Sequence, residues 1–141
     1  ALAVYLSFRS ANKKLQRLIA LDLKRYGLTD AKFGVLRAFE DRESCTMSEI
    51  IPWVLVGNSG ITGIIDRMER DGLVRREDDP GDRRAQIIRL TDEGGRVRKA
   101  VAAAMDAALG EAFEGVSSGA LEGMRGVLRK VLVNTDRGSL E

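Results

Sequence analysis

Residues 59–90 read SGITGIIDRMERDGLVRREDDPGDRRAQIIRL, and the fold turns on how this stretch is read. Ile61, Ile64, Ile65 and Met68 recur at i, i+3, i+4 and i+7, the spacing of one helix face. The other face carries Ser59, Gly60, Thr62, Gly63, Asp66, Arg67 and Arg70. Asp71-Gly72 closes the helix, because glycine enters the left-handed conformation of a helix stop without a side-chain clash. Leu73–Glu77 and Ala85–Leu90 are short and partly alternating, as strands are. Asp78-Asp79-Pro80-Gly81-Asp82 between them is dense in turn formers. A helix running into a hairpin with a long, charged tip is expected.

Upstream, Gly57-Asn58 is a turn, and Asn58 suits the N-cap of that helix. Thr46-Met47-Ser48-Glu49 is a capping-box pattern, in which the threonine hydroxyl and the glutamate each satisfy a free amide. The helix it opens should run to about Val56. Pro52 should distort it: proline cannot donate to the Ser48 carbonyl and crowds it, at roughly 3 kcal/mol in a regular helix. Residues 30–41 form a further helix with Phe33, Leu36 and Phe39 inward, capped by Thr29. Residues 1–26 form a long first helix stopped by Gly27, with Leu15, Leu18, Ile19 and Leu23 in one stripe. Its start, LAVYLSF, is apolar around much of its girth and wants burial on several sides, which a partner subunit would supply.

Downstream, Thr91-Asp92-Glu93 caps a fifth helix and sets acids at its positive end. Val97, Val101, Ala104, Ala108 and Ala112 make its stripe, flanked by Met105, Leu109 and Phe113. Gly115 and Ser117 interrupt the chain. A last helix carries Leu121, Met124, Leu128, Val131 and Leu132, and residues 134–141 should fray. The fold class is therefore mostly α with a small β-hairpin wing: a winged helix-turn-helix core over 29–90, with dimerisation helices over 1–28 and 91–141.

Composition narrows the function. The 141 residues suit one domain, 44% apolar and 31% charged, as in soluble helical proteins. No apolar run reaches membrane-span length and no secretory pattern stands out, so the cytoplasm is expected and no membrane partner. The first residue is Ala, so residues are expected to precede it. A net charge of +2 does not by itself argue for nucleic acid. Residues 1–40 hold eight Lys/Arg against three Asp/Glu, but residues 67–100 hold ten against eight. Any DNA contact must therefore come from locally placed arginines. There is no histidine and one cysteine, Cys45. That removes disulfides, Cys/His zinc sites and histidine-based nucleophiles, and no catalytic residue, metal or cofactor is expected. A lone cysteine in the loop before the third helix reads as structural rather than redox-sensing.

The run DRMERDGLVRREDDPGDRRAQIIRLTDEG, residues 66–94, closely resembles the signature of the MarR family. That signature ends its recognition helix in Gly-Leu-Val, carries Asp-Pro-x-Asp-Arg-Arg in the wing and opens the next helix with Leu-Thr-x-x-Gly. The likeness is tight over Ser48–Gly94 and looser over nearly the whole chain. It implies a homodimer on a near-palindromic operator, and a repressor released by a small, often aromatic or phenolic, anionic effector. Two departures stand out: Gly63 replaces a residue that is basic in many relatives, and Ile51-Pro52-Trp53 replaces an Ala-rich helix turn.

On that resemblance the wing-tip pair Arg83 and Arg84 are expected at DNA, one guanidinium in the minor groove and the other on Asp82 or a phosphate. Asn58, Ser59, Gly60 and Thr62 offer short side chains and bare backbone to base edges, with Arg67 and Arg70 on phosphates or intramolecular partners. Thr46 and Ser48 compete between capping and phosphate contact. Tyr5, Arg9, Lys13, Phe33 and Trp53 are the candidates for an effector pocket, aromatics for stacking and cations for a carboxylate. The rival class is a winged-helix interaction module, or a small enzyme, that does not bind DNA. The arginine-tipped wing argues against it.

Overall fold

A computed structural model describes residues 1–54, 58–81 and 86–136, with Asn58, Ser59 and Asp136 described as backbone only. The order is α1 (Leu2–Arg25), α2 (Asp30–Arg37), β1 (Ser44–Thr46), α3 (Met47–Ile50), a 3₁₀ turn (Ile51–Trp53), α4 (Asn58–Arg70), β2 (Val74–Asp78), β3 (Gln86–Leu90), α5 (Asp92–Ala112) and α6 (Ser118–Asp136). The fold is mostly helical with a small sheet, as expected. The chain divides into two compact units between Leu109 and Gly110.

In the first unit, α1 ends where Gly27 turns to φ +68°. The Thr29 side chain then accepts the Lys32 N–H at 3.2 Å and starts α2. Only Leu23 of the expected α1 stripe is fully buried; Leu15, Leu18 and Ile19 are half-buried. The helix α2 stops at Arg37 rather than Asp41, because Phe39 and Glu40 donate to carbonyls three residues back and tighten the chain into a turn. Leu36 and Phe39 are buried and Phe33 is half-buried.

The segment Ser44–Thr46, expected as loop, is a strand. It pairs antiparallel with β3, Cys45 opposite Ile88, so the sheet has three strands in the order β1-β3-β2. The hairpin itself pairs Val74 with Leu90 and Asp78 with Gln86. The Thr46–Glu49 capping box forms with both bonds present. The helix it opens lasts only to Ile50. From Ile51 the chain tightens into the 3₁₀ turn that holds Pro52, and Val54 is extended at φ −120°, ψ 122°. The expected continuation to Val56 is therefore interrupted at the proline, where no regular helical bond can form.

Ile61, Ile64, Ile65 and Met68 of α4 are all buried. Each contributes roughly 1.5–3 kcal/mol by leaving water, which pins one face of α4 and turns the other outward. They share a core with Val35, Leu36, Phe39, Ile50, Val74 and Ile88. In the second unit, α6 leaves Met124, Val127, Val131, Leu132 and Val133 exposed.

Candidate nucleic-acid interface

The outward face of α4 is the platform. Gly60, Thr62, Arg67 and Arg70 are exposed along it. Asn58 is the first residue of α4 rather than the residue before it, a one-residue shift of boundary. The side chains of Asn58 and Ser59, and the whole of Asp82–Ala85 with Arg83 and Arg84, lie outside the described residues. Thr46 is held by capping: its hydroxyl lies 3.1 Å from Glu49 Oε2 and accepts the Glu49 N–H at 3.4 Å. Ser48 is exposed.

A guanidinium fixes this face to the sheet. Arg76 on β2 donates from Nη2 to Asp66 at 2.5 Å and from Nη1 to Glu69 at 2.6 Å. Its backbone N–H also reaches Glu69 at 3.0 Å. That backbone bond, and then the guanidinium, hold the Glu69 carboxyl below the usual carboxylate range. Burial opposes the charge on Arg76, but the bonds to Asp66 and Glu69 outweigh it and its pKa is raised. Two carboxylates on α4 are thereby bonded to one cation, which offsets half of their charge, beside Arg67, which makes no ion pair among the described residues, and Arg70, whose Nε donates to the Asp66 carbonyl at 3.4 Å. A polyanion meeting this face is repelled less than its sequence of charges suggests.

The base of the wing is braced in the same way. Arg75 and Arg89 stand directly opposite each other on β2 and β3, a repulsive pairing. Glu77 accepts from both, at 2.7 and 2.8 Å, and its carboxyl is held low first by Arg89. The Thr91 hydroxyl lies 2.6 Å from the Gly72 carbonyl and accepts the Gly94 N–H at 2.9 Å, tying the stop of α4 to the start of α5. Gly94 is needed there, since a Cβ would stand 2.0 Å from the Leu73 carbonyl oxygen.

A model of the MarR family matches residues 26–85. YkoM, an HTH-type transcriptional regulator of Bacillus subtilis, is 29% identical over 83% of this chain and 76% of its own length. The repressor MdtR of Bacillus subtilis is 32% identical, over 64% of this chain and 59% of that protein. Among solved structures, Sco3205 of Streptomyces coelicolor, a MarR family regulator in complex with DNA, superposes with a TM-score of 0.82 at 27% identity, covering 92% of this chain and 84% of that one. CouR of Rhodococcus jostii, bound to p-coumaroyl-CoA, superposes with a TM-score of 0.80 at 30% identity, covering 93% and 94%. The chain belongs to the MarR family.

These relatives are transcriptional regulators rather than enzymes. Among the described residues, no helix is long and apolar enough to cross a membrane. No cluster of three or more His, Cys, Asp or Glu residues is placed to hold a metal. Cys45 is buried in β1 with its thiol 3.2 Å from the Ala38 carbonyl, and burial pushes its pKa up, which disfavours the reactive thiolate.

The residues expected in an effector pocket are scattered. Tyr5, Arg9 and Lys13 are exposed on α1. Phe33 lines a cavity of about 450 Å³ between α2 and α5, whose walls include Arg37, Arg98, Lys99 and Met105 but none of those three. Trp53 stands beside Arg37, whose guanidinium carbon lies 5.1 Å from the ring centroid. The sequence reading missed Arg37, Arg98 and the Arg76 brace. Asp66 and Glu69 at i, i+3 were the available signal for the brace, because they share one helix face.

Proposed function

We propose that this MarR-family chain is a homodimeric, sequence-specific DNA-binding repressor of the cytoplasm, released from a near-palindromic operator by a small aromatic acid. The observation that carries the reading is α4. Four buried apolar side chains anchor it, and Gly60, Thr62, Arg67 and Arg70 face outward with the nearby carboxylates tied to Arg76. Short side chains and bare backbone suit close approach to base edges, and the arginines suit phosphates. Asn58, Ser59 and the wing pair Arg83 and Arg84 complete the proposed contact set, with Thr46 and Ser48 toward the phosphate backbone. Residues 29–90 act as the DNA-binding core, and residues 1–28 and 91–141 as the dimerisation helices. The DNA-bound Sco3205 and the repressor MdtR support this assignment by kinship.

The cavity lined by Phe33, Arg37, Arg98 and Lys99 is the proposed effector site. Its volume falls in the range of small-molecule pockets, and it offers an apolar floor with cations at the wall. CouR, bound to p-coumaroyl-CoA, shows that a relative at 30% identity takes an aromatic acid derivative.

Gel-shift titration of the chain on DNA from upstream of its own gene tests the reading. Binding should weaken steeply with salt, as counterion release requires. Arg83→Ala and Arg84→Ala should each cost about 1–3 kcal/mol of operator affinity while circular dichroism stays unchanged. Absent or salt-insensitive binding would overturn the reading.

A further inference from the structure

Arg37 has neighbours on two sides. On one side its guanidinium covers the Trp53 ring, 5.1 Å from the centroid. On the other side it lines the α2–α5 cavity with Phe33, Arg98 and Lys99. Trp53 ends the 3₁₀ turn between α3 and the approach to α4. Gly34, one helical turn before Arg37, meets the same residue from the backbone: a Cβ there would stand 2.4 Å from the Trp53 carbonyl oxygen. The last turn of α2 therefore touches Trp53 twice, through a bare backbone at position 34 and a cation at position 37.

The charges around the cavity single out Arg37. Arg98 is held in place, since its Nη1 donates to the Phe39 carbonyl at 2.7 Å, and its buried Nε has no partner among the described residues, so it is a fixed second donor rather than a movable one. Lys99 is a point charge that lines the cavity but is no part of the Trp53 stack. Glu40 and Asp106 also line the wall, so a ligand anion needs a directed cation rather than a bulk positive field. Among the described residues Arg37 makes no ion pair, and it is exposed.

We infer that Arg37 is the residue that selects a carboxylate ligand for this cavity and that relays its arrival to the helix-turn-helix, because the ligand and the Trp53 ring compete for one guanidinium. The inference rests on the effector reading above. A cation over a ring that is 42% exposed is held weakly. A carboxylate takes two parallel N–H bonds from a guanidinium and wins that competition. Withdrawal of Arg37 uncovers Trp53 while Gly34 keeps α2 in contact with its backbone. A change at the ligand is then felt at the turn that leads to α4, with the differential contact that a population shift needs.

Trp53 is the one tryptophan of the chain, so its emission reports the event directly. The probes are benzoate and benzamide, one ring with a charged or a neutral head. In the full chain, benzoate should bind at least roughly tenfold more tightly than benzamide and shift Trp53 emission. Arg37→Gln should fold normally, lose that preference and show, without ligand, the emission of the benzoate-saturated wild type. Arg37→Lys should keep only part of the preference, since lysine lacks the planar fork. A benzoate preference that survives in Arg37→Gln overturns the inference and leaves the effector site standing, and so does binding that leaves Trp53 emission unmoved. If neither probe binds by dialysis or thermal shift, the effector site and the inference both fall, while operator binding by gel shift remains a separate result.

Discussion

At the residue scale, Arg76 decides how α4 presents itself. Three bonds join it to Asp66 and Glu69, and its side chain is largely covered. Arg76→Ala should lower stability by about 1 kcal/mol in urea denaturation, the upper range for a partly exposed ion-pair network. It should also weaken operator binding, because the one positive charge that offsets the two carboxylates would be gone. An operator affinity equal to wild type would remove Arg76 from the interface argument. The same carboxylates set a pH dependence. Glu49, Glu69 and Glu77 are held below the usual range, Glu49 and Glu69 first by a backbone N–H and Glu77 first by Arg89. The unfolded chain therefore binds their protons at higher pH than the folded one. Their stabilisation is complete above the ordinary carboxylate value and is lost as pH falls through the lowered folded values. The urea midpoint should hold from neutral to about pH 5 and drop below it, and Glu69→Gln should flatten part of the drop. The Glu49 bond was readable from the chain as a capping box, whereas the Arg76 and Arg89 pairings were not, since Arg76 meets Asp66 only once the hairpin register is set.

At the element scale, two neighbouring glycines of α5 separate packing from propensity. A Cβ at Gly94 would stand 2.0 Å from the Leu73 carbonyl oxygen and 2.8 Å from Leu90 Cδ1, so backbone must move. A Cβ at Gly95 meets nothing nearer than Leu90 Cδ2 at 3.8 Å, ordinary contact. Gly94→Ala should destabilise by about 1–3 kcal/mol despite the better helix former. Gly95→Ala should stabilise by about 0.5–1 kcal/mol, because glycine gives up more backbone freedom in a helix. Thermal denaturation of the pair checks both signs, and equal shifts would refute the close approach. Periodicity revealed α4 because four large apolar residues fall on one face, and it revealed the hairpin because turn formers crowd its tip. It could not reveal β1. Ser44-Cys45-Thr46 is too short for a pattern, its last residue doubles as a cap, and its pairing comes from the free edge of β3. Pro52 was legible as a break because the missing N–H is a local fact, whereas the exact end of α2 depended on how the chain turns beneath Phe39.

At the scale of the whole molecule, the apolar residues left uncovered carry the argument. On α1, Leu2, Val4, Tyr5, Leu6 and Phe8 are exposed, Leu2 and Val4 at 70% each. On α6, Val127, Val131, Leu132 and Val133 are exposed. So many large apolar residues left exposed on each helix mark an interface, and the core of a homodimer contact is its most apolar part. Sequence alone pointed to α1 too, because LAVYLSF is apolar around much of its girth. The proposed contact set lies on α4, the wing and the start of α3, so one chain reaches one half-site, and a second chain is what a near-palindromic operator would require. Linked half-sites bind by effective concentration, so losing the dimer costs far more on a full operator than on an isolated half-site. Light scattering on the full chain should give a dimer mass. Leu6→Asp and Leu132→Asp each place a charge where a partner's apolar face must fit, and each should shift the mass toward monomer. Both variants should lose most full-operator affinity and little half-site affinity, with helical content unchanged. A wild-type monomer at micromolar concentration would remove the dimer, and variants that stay dimeric would move the interface away from α1 and α6.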